Sequence, residues 1–227
     1  DGLTLFKEAG FDVEISDPIK DVAILAEKLK DFDGIMVRSA TLITAEALEK
    51  AKHLKVIGRA GAGVDTIDVD AATARGIAVM NAPDGNTLAA AEHAVSLLFA
   101  LARHIPRADA GMKAGEWPKN GLTGFELEGK RLGVIGLGRI GATVARKAVG
   151  IGMEVAAFDP FLPTSAAGRM SVPMKPLDEL LAWADIITLH IPRTKETTNI
   201  IGEAQMRAMR KGSYLINAAR GGLVDED

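Results

Sequence analysis

The stretch from Gly129 to Pro160 constrains the fold of this chain more than any other part of the sequence. A short apolar strand leads into the glycine-rich turn Gly136–Gly141, a helical stretch follows, and a second apolar strand ends at Asp159. This order of strand, glycine turn, helix, strand and acid is typical of a dinucleotide-binding βαβ unit. Asp159 follows Gly136 by 23 residues, close to the spacing of ~20 that such units show.

Each glycine of this turn is expected to have a separate physical role. Gly136 permits the tight turn, Gly138 lets the backbone approach a pyrophosphate, and Gly141 lets the helix pack close to the strand. The free N–H groups at the start of the helix would then face the phosphates. A glycine-rich turn can also join a strand to a helix without any ligand, but the flanking strands and the acid favour a nucleotide site.

Asp159 also indicates which dinucleotide would bind. Its carboxylate can accept hydrogen bonds from the adenosine ribose, and it would repel the extra phosphate of NADP. No Arg or Lys occurs among the four residues that follow it. We therefore predict NAD as the cofactor, in preference to NADP.

The composition excludes several other classes of protein. The chain has 227 residues, of which 48% are hydrophobic and 25% charged, with a net charge of −3. These values suit a soluble globular protein, for which a cytoplasmic location is the default expectation. It has no run of Lys or Arg, no apolar run near ~20 residues and no signal-peptide pattern, so we expect neither nucleic acid nor a membrane as partner. There is no cysteine and the four histidines lack metal-ligand spacing, so we predict no metal site.

Short apolar strands alternate with helical stretches along the whole chain, which predicts an α/β fold with parallel sheets. We predict two doubly wound, Rossmann-like domains at residues 1–82 and 83–227, because the turn-rich segment Asn81–Gly85 interrupts the alternation. A long helix is predicted from Thr87 to His104, and an additional short strand at Asp12–Ile15.

Polar groups follow several predicted strands, at the ends where open parallel sheets bind ligands. Arg38 and Ser39 follow one strand, Arg59 and Gly61 follow a second, and Arg220 follows a third. Arginine can hold a carboxylate or phosphate with two parallel hydrogen bonds, and backbone N–H groups near a glycine can bind anions. The pattern predicts a small anionic substrate, although each arginine taken singly could equally be a surface ion-pair partner.

Four segments together resemble the D-isomer-specific 2-hydroxyacid dehydrogenases: Arg59–Asp65, Asn81–Thr87, the unit at 129–160, and Asn217–Glu226. The likeness covers essentially the whole chain. It implies that a hydride passes from C2 of a 2-hydroxy acid to NAD while a histidine, oriented by a carboxylate, removes the hydroxyl proton. An arginine of the family holds the substrate carboxylate and polarises the C2–O bond, and Arg220 matches that catalytic arginine.

The resemblance also implies roles for the two predicted domains and for single residues. Residues 1–82 would bind the substrate and lack the first strand of the family's domain, and residues 83–227 would form a NAD-binding domain that is incomplete at its C-terminal end. The implied substrate-binding residues are Arg38, Ser39, Arg59, Gly61 and Asn86. The implied cofactor-binding residues are Gly136, Gly138, Arg139, Ile140, Gly141, Asp159, His190, Ile191, Pro192, Thr197, Ala218 and Ala219. A homodimer or homotetramer is a further expectation from the family.

The family's catalytic histidine and partner glutamate lie beyond the segment that ends here at Asp227, and neither His190 nor Glu226 replaces them. We therefore expect both ends of the protein to be missing from the sequence, and these residues alone to be essentially inactive. Within the resemblance, the segment Val37–Thr41 implies a phosphorylated 2-hydroxy acid as substrate. The alternatives are a reductase of glyoxylate, hydroxypyruvate or another 2-keto acid, and a NADH-sensing, corepressor-like binding protein.

Overall fold

The chain forms two units, Asp1–Gly85 and Asn86–Asp227, in a computed structural model that describes residues 2–117, 119–162 and 172–227. The division falls three residues after the boundary predicted from the sequence. Each unit is an α/β arrangement around its own parallel sheet, so the predicted fold class is confirmed.

The first unit builds a sheet of three parallel strands that lie side by side in chain order, β1-β2-β3. Val37 at the end of β1 pairs with Arg59 at the end of β2, which in turn pairs with Asn81 at the end of β3. The carboxyl ends of the three strands therefore share one edge of the sheet. The elements are α1 (Gly2–Glu8), α2 (Val22–Lys28), a 3-10 turn (Leu29–Asp31), β1 (Gly34–Val37), α3 (Ala45–Leu48), β2 (Val56–Arg59), α4 (Val69–Ala74) and β3 (Ala78–Asn81).

Three helices of this unit begin at side chains that the sequence supplies for that purpose. Asp21, Thr44 and Asp68 each accept hydrogen bonds from backbone N–H groups in the first turn of α2, α3 and α4. Such caps satisfy N–H groups that have no partner within the helix. The strand predicted at Asp12–Ile15 was wrong: these residues form no strand, and the side chain of Ile15 is 68% exposed. Alternation of polar and apolar residues does not make a strand where no neighbouring strand pairs with it.

The second unit contains four parallel strands in the order β5-β4-β6-β7. Its elements are α5 (Thr87–Ala102), α6 (Ile105–Lys113), β4 (Arg131–Ile135), α7 (Arg139–Gly150), β5 (Glu154–Phe158), α8 (Leu177–Trp183), β6 (Ile186–Leu189), α9 (Glu203–Ala208) and β7 (Tyr214–Asn217). A single bridge between Ala157 and Met174 extends the sheet beyond β5. After β4 the chain adds β5 on one side of that strand, and it then crosses over to add β6 and β7 on the other side. This reversal is the switch point at which doubly wound sheets open a crevice for ligands.

Helices cover both faces of this second sheet. Ala91, Ala94 and Leu98 of α5 pack with Val144 and Ala148 of α7 into the core on one face. Leu180 and Leu181 of α8 pack into a separate core on the other face. Strands β4 and β6 are buried along almost their whole length, as expected for central strands of a parallel sheet.

The long helix predicted from Thr87 to His104 ends two residues early, at Ala102, and a further helix that was not predicted follows it. His104 adopts a left-handed conformation, with φ of 50°, and Pro106 lies at the start of α6. A proline has no N–H to continue the preceding helix, so it marks a new helix start. No single helix in the described part of the chain meets the length and apolarity of a membrane span; α5 and α6 meet them only as a pair bent by 70°.

Candidate functional site

A cleft of about 410 Å³ opens where β4, β5 and β6 end in the second unit. It lies beside the switch point, where the topology places a ligand site. The structure brings together here six residues that the sequence predicted to bind the cofactor: Gly138, Arg139, Asp159, His190, Ile191 and Pro192. Four further residues line the cleft: Leu137, Ala142, Phe161 and Leu162.

Gly136 and Gly141 allow the turn beneath the cleft to form. Gly136 has φ of +93°, and a Cβ atom there would lie 2.7 Å from the carbonyl oxygen of His190. A Cβ atom on Gly141 would overlap the carbonyl oxygen of Gly136. A larger residue at Gly136 would push against His190 and Ile191 at the end of β6, and one at Gly141 would push α7 away from the end of β4. These two glycines therefore support the site from below and do not line it.

Gly138 instead faces open space. It caps the start of α7 without a side-chain hydrogen bond, and no heavy atom lies within 4 Å of the position a Cβ atom would take. The first N–H groups of a helix have no partner within the helix, and the positive end of its dipole favours an anion. Arg139 follows at the exposed edge of the cleft, and Ile140 is partly buried against the core. This helix start fits the pyrophosphate of a dinucleotide.

Asp159 is bound more tightly to the protein than the sequence suggested. Its Oδ2 accepts a hydrogen bond from the Leu137 N–H at 2.7 Å, which ties β5 to the glycine turn. Its Oδ1 accepts from the N–H groups of Phe161, at 2.8 Å, and Leu162, at 3.2 Å. Each carboxylate oxygen has two acceptor sites, so Oδ2 keeps one for a ligand hydroxyl. Asp159 can thus hold the turn in place and still accept a hydrogen bond from a ribose.

His190 forms the floor of the cleft and is half-buried. Its backbone N–H donates to the Ile135 carbonyl at 2.7 Å, and its Nε2 is hydrogen-bonded to the buried Thr188 hydroxyl at 3.0 Å. Burial lowers the pKa of His190 to about 4, because the charged form loses hydration there. The ring is therefore neutral at physiological pH.

Thr197 does not lie on the cleft surface, although the resemblance implied a contact with the cofactor. Its side chain is fully buried. The hydroxyl donates to the carbonyl of Pro192 at 2.7 Å and accepts from the Thr194 N–H at 2.7 Å. In this conformation Thr197 has no surface with which to touch a ligand; it holds the loop that carries Ile191 and Pro192.

The residues after β7 form a turn closed by Asn217. Its side-chain Nδ2 donates to the Arg220 carbonyl at 2.8 Å, and its Oδ1 accepts from the Ala219 N–H at 3.1 Å. Arg220 is exposed, and its guanidinium donates to the Ala219 carbonyl at 2.9 Å. Ala218 and Ala219 pack partly against the two cores of the sheet. The 410 Å³ cleft includes none of Ala218, Ala219 and Arg220 among its lining residues.

Four of the predicted substrate-binding residues belong to the first unit. Arg38 and Ser39 are exposed directly after β1, and Arg59 ends the neighbouring strand, so the two arginines share one edge of the sheet. The Arg59 guanidinium lies over Gly61 and donates to the Ala60 carbonyl at 2.8 Å. Its Nε is buried without a hydrogen-bond partner among the described residues. A buried, unpaired donor is expected to have a partner in the functional state.

Asn86, the fifth, begins the second unit. It is exposed, and its side chain makes no capping hydrogen bond to the start of α5. Among the cleft residues that sequence analysis did not single out, Leu137 lies at a variable position of the glycine fingerprint, and Ala142 directly follows it. Phe161 and Leu162 follow Asp159, and an aspartate that bonds the N–H groups two and three residues later is a common turn signal. That signal was present in the sequence.

No group of three or more His, Cys, Asp or Glu in the described ranges could hold a metal ion.

Comparison with known proteins identifies the family. The family model described as "D-isomer specific 2-hydroxyacid dehydrogenase, NAD binding domain" matches residues 95–227. D-3-phosphoglycerate dehydrogenase of Archaeoglobus fulgidus is 46% identical over 226 residues, which is 100% of this chain and 43% of that protein. The enzyme of the same name from Bacillus subtilis is also 46% identical, over 100% of this chain and 42% of its own length. The chain thus spans less than half the length of these relatives.

Solved structures agree in fold. The apo-structure of D-lactate dehydrogenase from Escherichia coli matches with a TM-score of 0.82 and 32% identity, over 98% of this chain and 71% of that one. An acyclic imino acid reductase, solved with NADPH and D-Arg, matches with a TM-score of 0.89 and 31% identity, over 100% of this chain and 72% of that one. On the strength of the family model and these relatives, the chain belongs to the NAD-binding, D-isomer-specific 2-hydroxyacid dehydrogenases.

Proposed function

We propose that this chain belongs to an enzyme that oxidises D-3-phosphoglycerate to 3-phosphohydroxypyruvate with NAD, the first step of L-serine biosynthesis. The observation that carries the proposal is the cleft over the open start of α7, with Asp159 at its side. Relatives that carry the name D-3-phosphoglycerate dehydrogenase, 43–47% identical to the chain, support the choice of substrate.

In this proposal the second unit binds the cofactor. The start of α7 at Gly138, Arg139 and Ile140 holds the pyrophosphate, and Asp159 accepts a hydrogen bond from the adenosine ribose. Ile191 and Pro192 form an apolar wall, and Ala218 and Ala219 contribute backbone beside it. When bound, NAD supplies the hydride acceptor of the reaction.

Arg220 is proposed to hold the substrate carboxylate and to stabilise the negative charge that develops on the C2 oxygen. Arginine suits this task because it stays charged and offers two parallel hydrogen bonds. The proton of the C2 hydroxyl also needs a base. His190 does not fit that role, because its Nε2 is already hydrogen-bonded to Thr188 and its pKa of about 4 makes it a weak base.

The first unit is proposed to bind the substrate, in particular its phosphate. Arg38 and Arg59 lie at the ends of neighbouring strands, and the Ser39 hydroxyl adds a hydrogen-bond donor there. The Gly61 N–H, by contrast, already donates to the Arg59 carbonyl at 2.8 Å, so Gly61 contributes by giving room for the Arg59 guanidinium. Asn86 is proposed as a further substrate contact. Two arginines at one sheet edge can neutralise a phosphate dianion in a way that a single cation cannot.

The test of this function is NAD reduction by the whole enzyme to which this chain belongs, with D-3-phosphoglycerate as substrate, compared with D-lactate and D-glycerate. We expect D-3-phosphoglycerate to have the highest kcat/KM. The double variant Arg38→Met and Arg59→Met should raise its KM by about 10- to 100-fold and leave the KM of an unphosphorylated acid within about twofold. Equal activity of wild type and double variant on D-3-phosphoglycerate would refute the assignment of the phosphate site.

A second candidate is a reductase of glyoxylate, hydroxypyruvate or another small 2-keto acid. It is favoured by the similarity in fold to D-lactate dehydrogenase. A reductase of this kind would turn over the unphosphorylated acid faster than the phosphorylated one, and the same double variant would leave its kinetics unchanged.

Preference for NAD over NADP is a separate proposal, which rests on the Asp159 carboxylate. The matching imino acid reductase was solved with NADPH, so the fold as such does not decide between the two cofactors. We expect NADH to bind at least about tenfold more tightly than NADPH, because the carboxylate repels a 2′-phosphate. Comparable dissociation constants for NADH and NADPH would refute this proposal.

Self-association and location complete the proposal. A homodimer or homotetramer is supported by the exposed apolar side chains of Leu88 and Phe99 on α5 and Ile105 and Met112 on α6. A cytoplasmic location follows from the proposed metabolic role. Light scattering of the purified protein would give the number of subunits. A monomeric mass at all concentrations would contradict the proposed self-association.

A further inference from the structure

The wall of the cleft depends on a loop that has little support from the sheet. At its start, the His190 N–H donates to the Ile135 carbonyl at 2.7 Å, which keeps the end of β6 beside β4. At its far end, the Asn199 N–H donates to the Gly222 carbonyl at 2.9 Å, and Ile201 forms a bridge with Val224. Between these anchors, residues 191–198 belong to no helix or strand. Ile191 is fixed by packing into the core, where it is 3% exposed, but Pro192 is exposed and needs a further interaction to hold it.

The Thr197 hydroxyl supplies that interaction. It donates to the Pro192 carbonyl at 2.7 Å and accepts from the Thr194 N–H at 2.7 Å, and the hydroxyls of Thr194 and Thr197 lie 3.2 Å apart. The Thr197 N–H in turn donates to the Thr194 hydroxyl at 3.3 Å. A hydroxyl has one donor and two acceptor sites, and the Pro192 carbonyl and the Thr194 N–H occupy the donor and one of the acceptor sites. The Thr197 side chain is also fully buried.

We propose that Thr197 is a positioning residue, which sets the cofactor wall by holding the carbonyl of Pro192. The inference rests on the proposed function, and it replaces the direct cofactor contact that the resemblance implied for this residue. Because Pro192 is exposed on the cleft while Thr197 is not, Thr197 acts on a ligand only through the loop. The hydroxyl, and not the bulk of the side chain, carries the effect.

The variant Thr197→Val tests this directly, because it keeps the shape of the side chain and removes the hydroxyl. The Pro192 carbonyl and the Thr194 N–H then lose their partner in a buried place, which favours a rearranged loop. We expect the dissociation constant for NADH, measured by fluorescence titration, to rise about tenfold. Thr197→Ser keeps the hydroxyl and should stay within about threefold of the wild type.

Thr198→Val is the matched control. Thr198 is exposed, and its hydroxyl donates to the Thr194 carbonyl at 2.6 Å without reaching Pro192. The same chemical change one residue away should alter the NADH dissociation constant by less than about threefold. If Thr197→Val binds NADH like the wild type, or if Thr197→Ser is as weak as Thr197→Val, the positioning role is refuted.

Amide hydrogen exchange of the wild type gives a test that survives misfolding of the variant. The Thr194 amide should exchange slowly, because it donates to a buried hydroxyl, and it should exchange faster in Thr197→Val. A Thr194 amide that exchanges at the rate of an open loop overturns the inference. Failure of the wild type to bind NADH would instead show that the proposed function is wrong, so the two failures are distinguishable.

Discussion

Each unit of this chain has a glycine-rich turn after the central strand of a parallel sheet, yet the two turns differ in what they can bind. The turn at 136–141 leads straight into α7, and space is open above Gly138. The turn that begins at Gly61 is covered by the Arg59 side chain, and the Ala62 carbonyl accepts a hydrogen bond from the Asn81 side chain at 2.7 Å. Glycine content alone therefore does not make a nucleotide site.

Strand order explains much of the difference. In the first unit β2 lies between β1 and β3, and the chain never reverses direction along the sheet. In the second unit β4 lies between β5 and β6, so the connections leave β4 and β6 toward opposite faces and a crevice opens between them. A helix start with free N–H groups becomes a ligand site only where such a crevice gives access to it.

The largest effect is expected from Gly141→Ala, because this substitution disturbs the close packing of α7 against the turn at 136–141. The added methyl group would overlap the Gly136 carbonyl oxygen, so α7 must move. We expect a loss of about 3 kcal/mol in the free energy of unfolding and at least about a 100-fold loss in NADH affinity. Gly150→Ala, at the end of the same helix and with no atom within 4 Å of the new methyl group, should be neutral or stabilising. If Gly141→Ala bound NADH as tightly as the wild type, the close packing of this turn would not be what makes it a nucleotide site.

Lowering the pH should reduce the stability of the second unit, because His190 packs against the glycine turn at 136–141. The pKa of His190 is lowered from 6.5 to about 4, so between these values the unfolded chain binds a proton that the folded chain does not. Stability contributed by the neutral ring is present above pH ~6.5 and is lost as the pH falls toward ~4, by up to about 3 kcal/mol.

Urea unfolding at several pH values would measure this loss. His190→Gln should flatten the dependence in that window, and His93→Gln, at an exposed position on α5, serves as the control. An unchanged pH dependence in His190→Gln would show that another group is responsible.

Asp159→Ala is compared with Asp21→Ala, because both aspartates accept hydrogen bonds from backbone N–H groups. Removing Asp159 leaves three N–H groups without their acceptor and takes away the ribose ligand. We expect a loss of about 1–3 kcal/mol in stability, about 30-fold weaker NADH binding, and a smaller preference for NADH over NADPH. Asp21→Ala, which uncaps α2 in the first unit, should cost about 1 kcal/mol and leave NADH binding unchanged. Equal losses of NADH affinity in the two variants would contradict the assignment of the cofactor to the second unit.

The smallest effect on cofactor binding is expected from Arg59→Met in the first unit. Its Nε has no described partner and its guanidinium makes one bond to the Ala60 carbonyl, so the free energy of unfolding should change by less than about 0.5 kcal/mol. NADH affinity should stay within about twofold of the wild type. Arg75→Met, at an exposed position directly after α4 in the same unit, is the matched control. A large loss of NADH affinity in Arg59→Met alone would mean that the first turn also serves the cofactor.

Sequence patterns succeeded where local chemistry is decisive. The spacing from Gly136 to Asp159 predicted a strand, turn, helix and strand, and all four elements formed close to the expected residues. Patterns failed where a partner distant in sequence decides the outcome. Asp12–Ile15 has the alternation of a strand but no neighbouring strand with which to pair. The end of the helix from Thr87 was missed for a local reason instead: His104 adopts a left-handed conformation, and Pro106 lies at the start of the next helix.

By itself, the sequence determined the βαβ unit, the parallel α/β class and the acid at the end of β5, because glycine spacing and apolar periodicity act over a few residues. Only the tertiary structure decided which residues around that unit face a ligand. Asp159 accepts a hydrogen bond from the Leu137 N–H in the glycine turn, and Thr197 is buried with its hydroxyl donating to the Pro192 carbonyl. These outcomes depend on how the strand ends and the loops after them pack together, and no local pattern encodes that packing.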